Sequence, residues 1–154
     1  MSSGPERFAE RARALGFEAE VHVLDASTRT AAEAAEACGC AVAQIVKSLV
    51  FETGEGALVL LLVSGANQVD VAAFRAHTGL GLSRADIKRV RAEAGFAIGG
   101  VPPFGHDAPL RTFIDGTLQG IGPLWAAAGA PNAVFPVTFD DLVRVSGGEV
   151  CKVC

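Results

Sequence analysis

The sequence predicts a mixed α/β fold, α+β in kind with a mixed sheet, and three observations carry that expectation. Segments with apolar residues at helical spacing are interspersed with segments that alternate apolar and polar residues. Two apolar runs, residues 44–51 and 57–63, are joined by Glu52-Thr53-Gly54-Glu55-Gly56, a turn-forming stretch suited to a β-hairpin. A hairpin in such a chain argues against strict βαβ winding. The 154 residues are half apolar and 19% charged, enough for a sizeable core and far from the composition of disordered chains. One domain over residues 1–154 is expected.

In chain order, residues 5–15 carry Phe8, Ala12 and Leu15 at helical spacing, with Ser3 or Gly4 before a first-turn proline and Gly16 after the end. Residues 17–24 alternate, Phe17, Ala19, Val21 and Val23 against Glu18, Glu20 and His22, which predicts a strand with His22 toward solvent. Thr30 and Glu33 have the spacing of a capping box and open an Ala-rich helix ending near Gly39. The hairpin strands follow as central strands. Helices are expected over 70–77 and 83–94, the second carrying Arg84, Lys88, Arg89 and Arg91. A second cluster of strands is expected at 111–115, 124–128 and 133–137. Thr138 and Asp141 resemble another capping box before a helix over 139–145, and 149–153 can add a last strand.

Charge and apolar run length exclude several functions. Thirteen basic against seventeen acidic residues leave a net charge of −4, which argues against holding nucleic acid by neutralising many phosphates. Brief contact with one end of an RNA is compatible with it. The longest apolar run, residues 57–63, falls far short of the roughly 20 residues a spanning helix needs, so no membrane partner is expected. The opening Met1-Ser2-Ser3-Gly4-Pro5-Glu6 lacks a basic region followed by an apolar one, and a cytoplasmic location is the expectation. Cysteines fall in two close pairs, Cys38 with Cys40 and Cys151 with Cys154. Their spacing does not match the usual zinc pairs at both ends, and Cys154 is no strand-to-helix junction, so neither metal nor redox chemistry is expected.

Lys47 is the first candidate for chemistry. Alternation along the 43–51 strand places it on one face with Ile45, Leu49 and Phe51, and Gln44, Val46, Ser48 and Val50 on the other. An ammonium among aliphatic side chains must reach water at an edge, pair with a carboxylate, or meet an anionic ligand in a cleft. The second candidate is Gly99-Gly100-Val101-Pro102-Pro103-Phe104-Gly105, too dense in Gly and Pro for regular structure. Such a loop brings backbone N–H groups close to a ligand, is held in shape by its prolines, and can stabilise an oxyanion. It has neither the Lys-Ser/Thr of a P-loop nor the spacing of a dinucleotide loop. His106 follows closely enough to line the same pocket, where an imidazole can act as a base; a surface-loop histidine is the blander reading. His77 suits a helix C-terminus. Asp115 can pair with Lys47 or an arginine, and Asn132 suits a turn. No acid and histidine are spaced to suggest a triad.

Together, residues 30–39, Ile45-Val46-Lys47-Ser48-Leu49-Val50-Phe51, residues 99–105, Phe113-Ile114-Asp115 and Ala128-Gly129-Ala130-Pro131-Asn132 resemble the YbaK and prolyl-tRNA-synthetase-associated editing domain family. The resemblance spans nearly the whole chain and implies a curled mixed sheet flanked by helices. It also implies hydrolysis of the ester of mischarged aminoacyl-tRNA without a cofactor. Carried over by motif, Lys47 matches the essential lysine, and residues 99–103 match the G-x-x-x-P loop lining the aminoacyl pocket, which makes Gly99 and Gly100 the groups that orient and polarise the carbonyl. Val101, Pro103, His106, Ala127 and Asn132 are then the substrate-binding candidates. Water is the implied nucleophile, assisted by the tRNA ribose hydroxyl.

Cysteinyl-tRNA-deacylating members often carry Ser-Gly-Gly where this chain has Ala127-Ala128-Gly129, and an acidic residue where it has Val134. The chain resembles the prolyl-type branches instead, for which Ala, Ser, Thr or a nonprotein analogue fits. The expected partners are the acceptor end of a mischarged tRNA, touched by Lys88, Arg89 and Arg91, and an aminoacyl-tRNA synthetase; no DNA is expected. Two alternatives stay open, a noncatalytic synthetase-associated or nucleotide-binding module and a hydrolase of small esters or aminoacyl adenylates.

Overall fold

A computed structural model describes residues 3–25 and 30–153. Short polar side chains open every α-helix. Ser3 caps α1 (Gly4–Ala14), Thr30 caps α2 (Ala31–Cys38), Asp70 caps α3 (Val71–Thr78), Asp86 caps α4 (Ile87–Ala94) and Thr138 caps α5 (Phe139–Ser146), each accepting a first-turn amide. Four of these helices stop at a glycine in the left-handed region, α2 at Gly39, α3 at Gly79, α4 at Gly95 and α5 at Gly147. Asp141 departs from the capping-box pattern, because its carboxylate pairs with Arg144 at 3.1 Å.

Eight strands among the described residues form one mixed sheet. The predicted hairpin is its centre: β2 (Ile45–Thr53) runs antiparallel to β3 (Leu58–Ser64) in a register that sets Lys47 opposite Val63. All seven residues of β3 are buried, as a strand covered on both faces requires. The strands at 111–115, 124–128 and 133–137 do not form a cluster apart. β5 (Arg111–Asp115) lies parallel to β3, and β8 (Glu149–Cys151) extends the sheet beyond it. On the other side β6 (Leu124–Ala127) lies parallel to β2, followed by β7 (Ala133–Val137) and the short β1 (His22–Val23).

Two expectations are corrected. Within 17–24 only His22–Val23 pairs in the sheet, and Val23 is 67% exposed. Phe17 is nonetheless buried against the main core, so the alternation upstream reflects packing without a ladder. The helix expected over 83–94 starts at Ile87, because Leu82–Arg84 forms β4 and pairs antiparallel with the end of β2.

The helices take sides according to strand parity. Leu58, Leu60, Leu62 and Val46 face the main core, with Phe8 and Ala12 of α1, Val90 and Ala94 of α4, and Leu142 and Val145 of α5. Val59, Leu61 and Val63 face the other way, onto Phe74 of α3, and Ile45 meets Ala34 and Ala35 of α2. The rings of Phe8, Phe104 and Phe135 lie within 5.7 Å of one another, which seats the end of the Gly-Pro loop in the main core. No described helix is long and apolar enough to cross a membrane.

Candidate functional site

The site is a break in the sheet. On the edge of β2 away from β3, β6 covers Ile45 and Val46 and β4 covers residues 51–53, leaving 47–50 without a strand neighbour there among the described residues. Main-chain bonds from Gly65 N to Ile45 O and from Thr53 N to Ala57 O fix which residues of β2 bond toward β3. By the antiparallel alternation these are the odd-numbered ones, so the N–H and C=O of Ser48 point into the gap. Facing this edge across a cavity of about 270 Å³ are Gly99 and Val101 of the Gly-Pro loop, and Lys47, Ser48, Trp125 and Ala127 line it too. A second cavity of about 460 Å³ shares Ser48, Gly99 and Val101 with the first and adds Arg84 and Ile87.

Lys47 and Ser48 use opposite faces of the strand, and both residues line the cavity. Lys47 Nζ donates to the main-chain carbonyl of Asn67, and no carboxylate lies within ion-pair distance of it among the described residues. One of the three ammonium donors is thereby used. The Asn67 side chain donates to Asp115 Oδ2 at 3.4 Å and to Thr117 Oγ1 at 2.9 Å, and Thr117 donates in turn to Asp115. Asp115, 1% exposed, therefore reaches Lys47 through Asn67 and not by the direct ion pair the sequence allowed. Ser48 Oγ is the single buried side-chain polar atom without a hydrogen-bond partner among the described residues. A buried hydroxyl left unpaired is costly.

The structure brings together Lys47, Gly99, Val101 and Ala127 and separates the other candidates from them. Gly100 is buried beneath the loop, where an added Cβ would stand 2.7–2.8 Å from the Ala130 backbone, and its N–H donates to Ala97 O at 2.9 Å. That amide is spent on a turn, so the expected pair of glycine donors is corrected. Gly99 and Val101 keep N–H groups without a protein partner among the described residues. Pro103 and His106, expected at the same pocket, line a separate cavity of about 350 Å³ behind the loop. His106 Nε2 lies 2.7 Å from Pro102 O, and burial pushes its pKa below the usual imidazole value. Asn132 ties the chain near Leu24, exchanging main-chain and side-chain bonds with it outside the site.

Ser48, Trp125 and Ile98 are lining residues that sequence reasoning missed. Only Trp125, the sole tryptophan, offered a signal. On the basic helix, Arg89 is already paired with Glu52 and Glu93, each at 2.5 Å, while Lys88 and Arg91 are exposed. His77 stands in the last turn of α3. Cys38, Cys40 and Cys151 are free thiols, and burial and the neighbouring Cys40 push Cys38 up to about 11. Cys154 lies outside the described residues. No group of three or more His, Cys, Asp or Glu side chains among the described residues is placed to hold a metal ion.

A mixed sheet opened along one strand, with a lysine and a Gly-Pro loop at the opening, has known relatives. Residues 25–145 match the aminoacyl-tRNA editing domain, and the chain belongs to that family. The uncharacterized protein YwhH of Bacillus subtilis (strain 168) is 31% identical over 140 residues, 88% of each chain. A crystal structure provisionally described as a trans-editing enzyme for prolyl tRNA synthetase superposes with a TM-score of 0.92 at 43% identity, covering 99% of this chain and 98% of that one. The hypothetical protein APE2540 superposes with a TM-score of 0.87 at 25% identity over 96% and 99% of the two chains.

Proposed function

We propose that this protein is a stand-alone hydrolase of the cytoplasm that deacylates mischarged aminoacyl-tRNA, taking a small amino acid such as alanine, serine or threonine from the CCA end. The observation that carries this reading is the cavity of about 270 Å³ between the open edge of β2 and the Gly-Pro loop, with Lys47 on one wall and free amides at Gly99 and Val101 on the other. Its walls around Ala34, Ala126 and Ala127 are small and apolar, which suits a short side chain. The amides of Gly99 and Val101 are the donors available to an ester oxygen as it gains negative charge. Lys47, a cation with donors to spare, engages the terminal phosphate or the reacting end of the substrate. A water molecule attacks the ester carbonyl, the bond to the ribose oxygen breaks, and the products are the free amino acid and a tRNA with its hydroxyl restored. The larger cavity that shares this wall supports a terminal nucleoside bound beside the amino acid.

The test is deacylation of a panel of labelled tRNAs, including Ala-tRNA(Pro), Ser-tRNA and Cys-tRNA, by the wild type and by Lys47→Ala. Release of a small amino acid by the wild type and its loss in the variant, with unchanged thermal unfolding, is the expected result. A panel that stays charged, or a variant as active as the wild type, overturns the reading and leaves a binding module as the better account. Hydrolysis of a small aminoacyl ester lacking tRNA at the same rate would assign the chain to ester hydrolysis instead.

A further inference from the structure

The segment that matches the editing family begins at residue 25, yet the Gly-Pro loop is held in place by α1, which precedes it. Arg7 Nη2 donates to Gly95 O at 2.5 Å, at the start of the loop segment, and Arg11 Nη1 donates to Gly105 O at 3.3 Å, at its end. Both guanidinium groups face Asp107, Arg11 in close contact and Arg7 at 3.8 Å, and both lie over the Phe96 ring, at 4.6 Å and 5.9 Å from its centroid. The backbone has been cleared for this arrangement. A Cβ at Gly95 would collide with the Asp107 carboxylate, and one at Gly105 would press on Arg11 and Phe8. The first turn of α1 packs by Gly4 onto Gly129, in the same turn whose Ala130 backs Gly100.

We propose that α1 is a clamp on the Gly-Pro loop, and that Arg7 and Arg11 are positioning residues that fix Gly99 and Val101 opposite Lys47. Neither arginine lines the cavity, so each acts through the loop it grips. Two cations sharing one carboxylate and two carbonyls at opposite ends of a loop restrict both ends at once, which a single contact cannot do. The consequence for turnover rests on the editing reading above, because misplacing donors around a reacting carbonyl by about 1 Å costs up to roughly a hundredfold in rate.

The experiment compares wild type, Arg7→Ala/Arg11→Ala and Asp107→Asn by amide hydrogen exchange and by steady-state deacylation. The clamp predicts that exchange at the hydrogen-bonded amides of Gly100, Asp107 and Ala108 rises at least about tenfold while the β2 and β3 amides are unchanged, the mark of local opening. It also predicts that kcat falls roughly tenfold or more with KM moving less than about twofold, and that Arg11→Lys recovers part of the loss. Unchanged loop exchange, loosening spread evenly over the sheet, or faster loop exchange with full kcat each overturns the proposal. Asp107→Asn keeps both arginines and carries the same test if the double variant does not fold. A wild type that hydrolyses no aminoacyl-tRNA removes the editing reading alone, and the exchange data then decide the clamp by themselves.

Discussion

Lys47 is held by a carbonyl, and the residue that owns the carbonyl is held by a buried carboxylate. Asn67→Ala keeps the carbonyl but removes both side-chain bonds that fix it, to Asp115 and to Thr117. Asp115 then retains only Thr117, and the expected stability loss is about 1–2 kcal/mol, read from urea midpoints. Deacylation should fall further than KM rises, because the lysine loses its aim and not its charge. His106 gives a second prediction, in the pH dependence of stability. Burial holds its folded pKa below the ordinary 6.5. Between those two values the unfolded chain binds more protons than the native one, so stability falls as pH drops from 6.5 toward the folded pKa and is untouched above 6.5. His106→Gln should flatten that part of a Tm profile recorded between about pH 5 and 7.5. Lys47 was legible in the sequence because strand alternation exposes a charge on an apolar face. Asn67 was not, since its contact to the lysine is through a main-chain carbonyl, which every residue possesses.

Between the glycines of the loop, two different physical constraints can be told apart. Gly99 has φ +95 with its nearest neighbour, Pro131 Cγ, 3.9 Å from an added Cβ, so alanine there is strained by backbone conformation alone, at about 1–2 kcal/mol. Gly100 has no such φ, and its alanine would meet the Ala130 backbone, which cannot swing aside as a side chain can. Gly100→Ala is expected to cost about 1–3 kcal/mol by overpacking and to push Gly99 and Val101 into the cavity. Gly99→Ala should leave the cavity open. Denaturant midpoints and the fraction of deacylation retained separate the two. Elements that depend on neighbours in sequence were legible: the hairpin through its Gly-rich turn, and the helix starts through Ser3, Thr30 and Thr138. The break beside Ser48 was not, because it arises from where β4 and β6 happen to dock on β2. The same non-local pairing took Ser83 and Arg84 from the expected helix and left residues 17–21 without a ladder.

The charge of the whole molecule limits how it can hold an RNA. A chain at net −4 repels the phosphate backbone at long range, so attraction must come from a few cations near the cavity. Arg84 lines the larger cavity, and Arg84, Lys88 and Arg91 are exposed. Arg89 does not count among them, because Glu52 and Glu93 already neutralise it. Each phosphate neutralised on a single strand contributes about −0.7 to the slope of log affinity against log salt, so three contacts predict a slope near −2. Measuring binding of a non-hydrolysable aminoacyl-tRNA analogue across a salt series checks this directly. Lys88→Ala/Arg91→Ala should bring the slope to about −0.7 while leaving the single-turnover rate at saturating enzyme unchanged, since neither residue lines the cavity. A wild-type slope of about −5 or steeper would mean that the acceptor stem, and not its end alone, lies on the protein. A shallow slope fits an enzyme that must release correctly charged tRNA as readily as it samples it. On the proposed deacylase reading, discrimination then rests on the apolar walls around Ala127 and on the amides of Gly99 and Val101, where the wrong amino acid would be cleaved before it leaves.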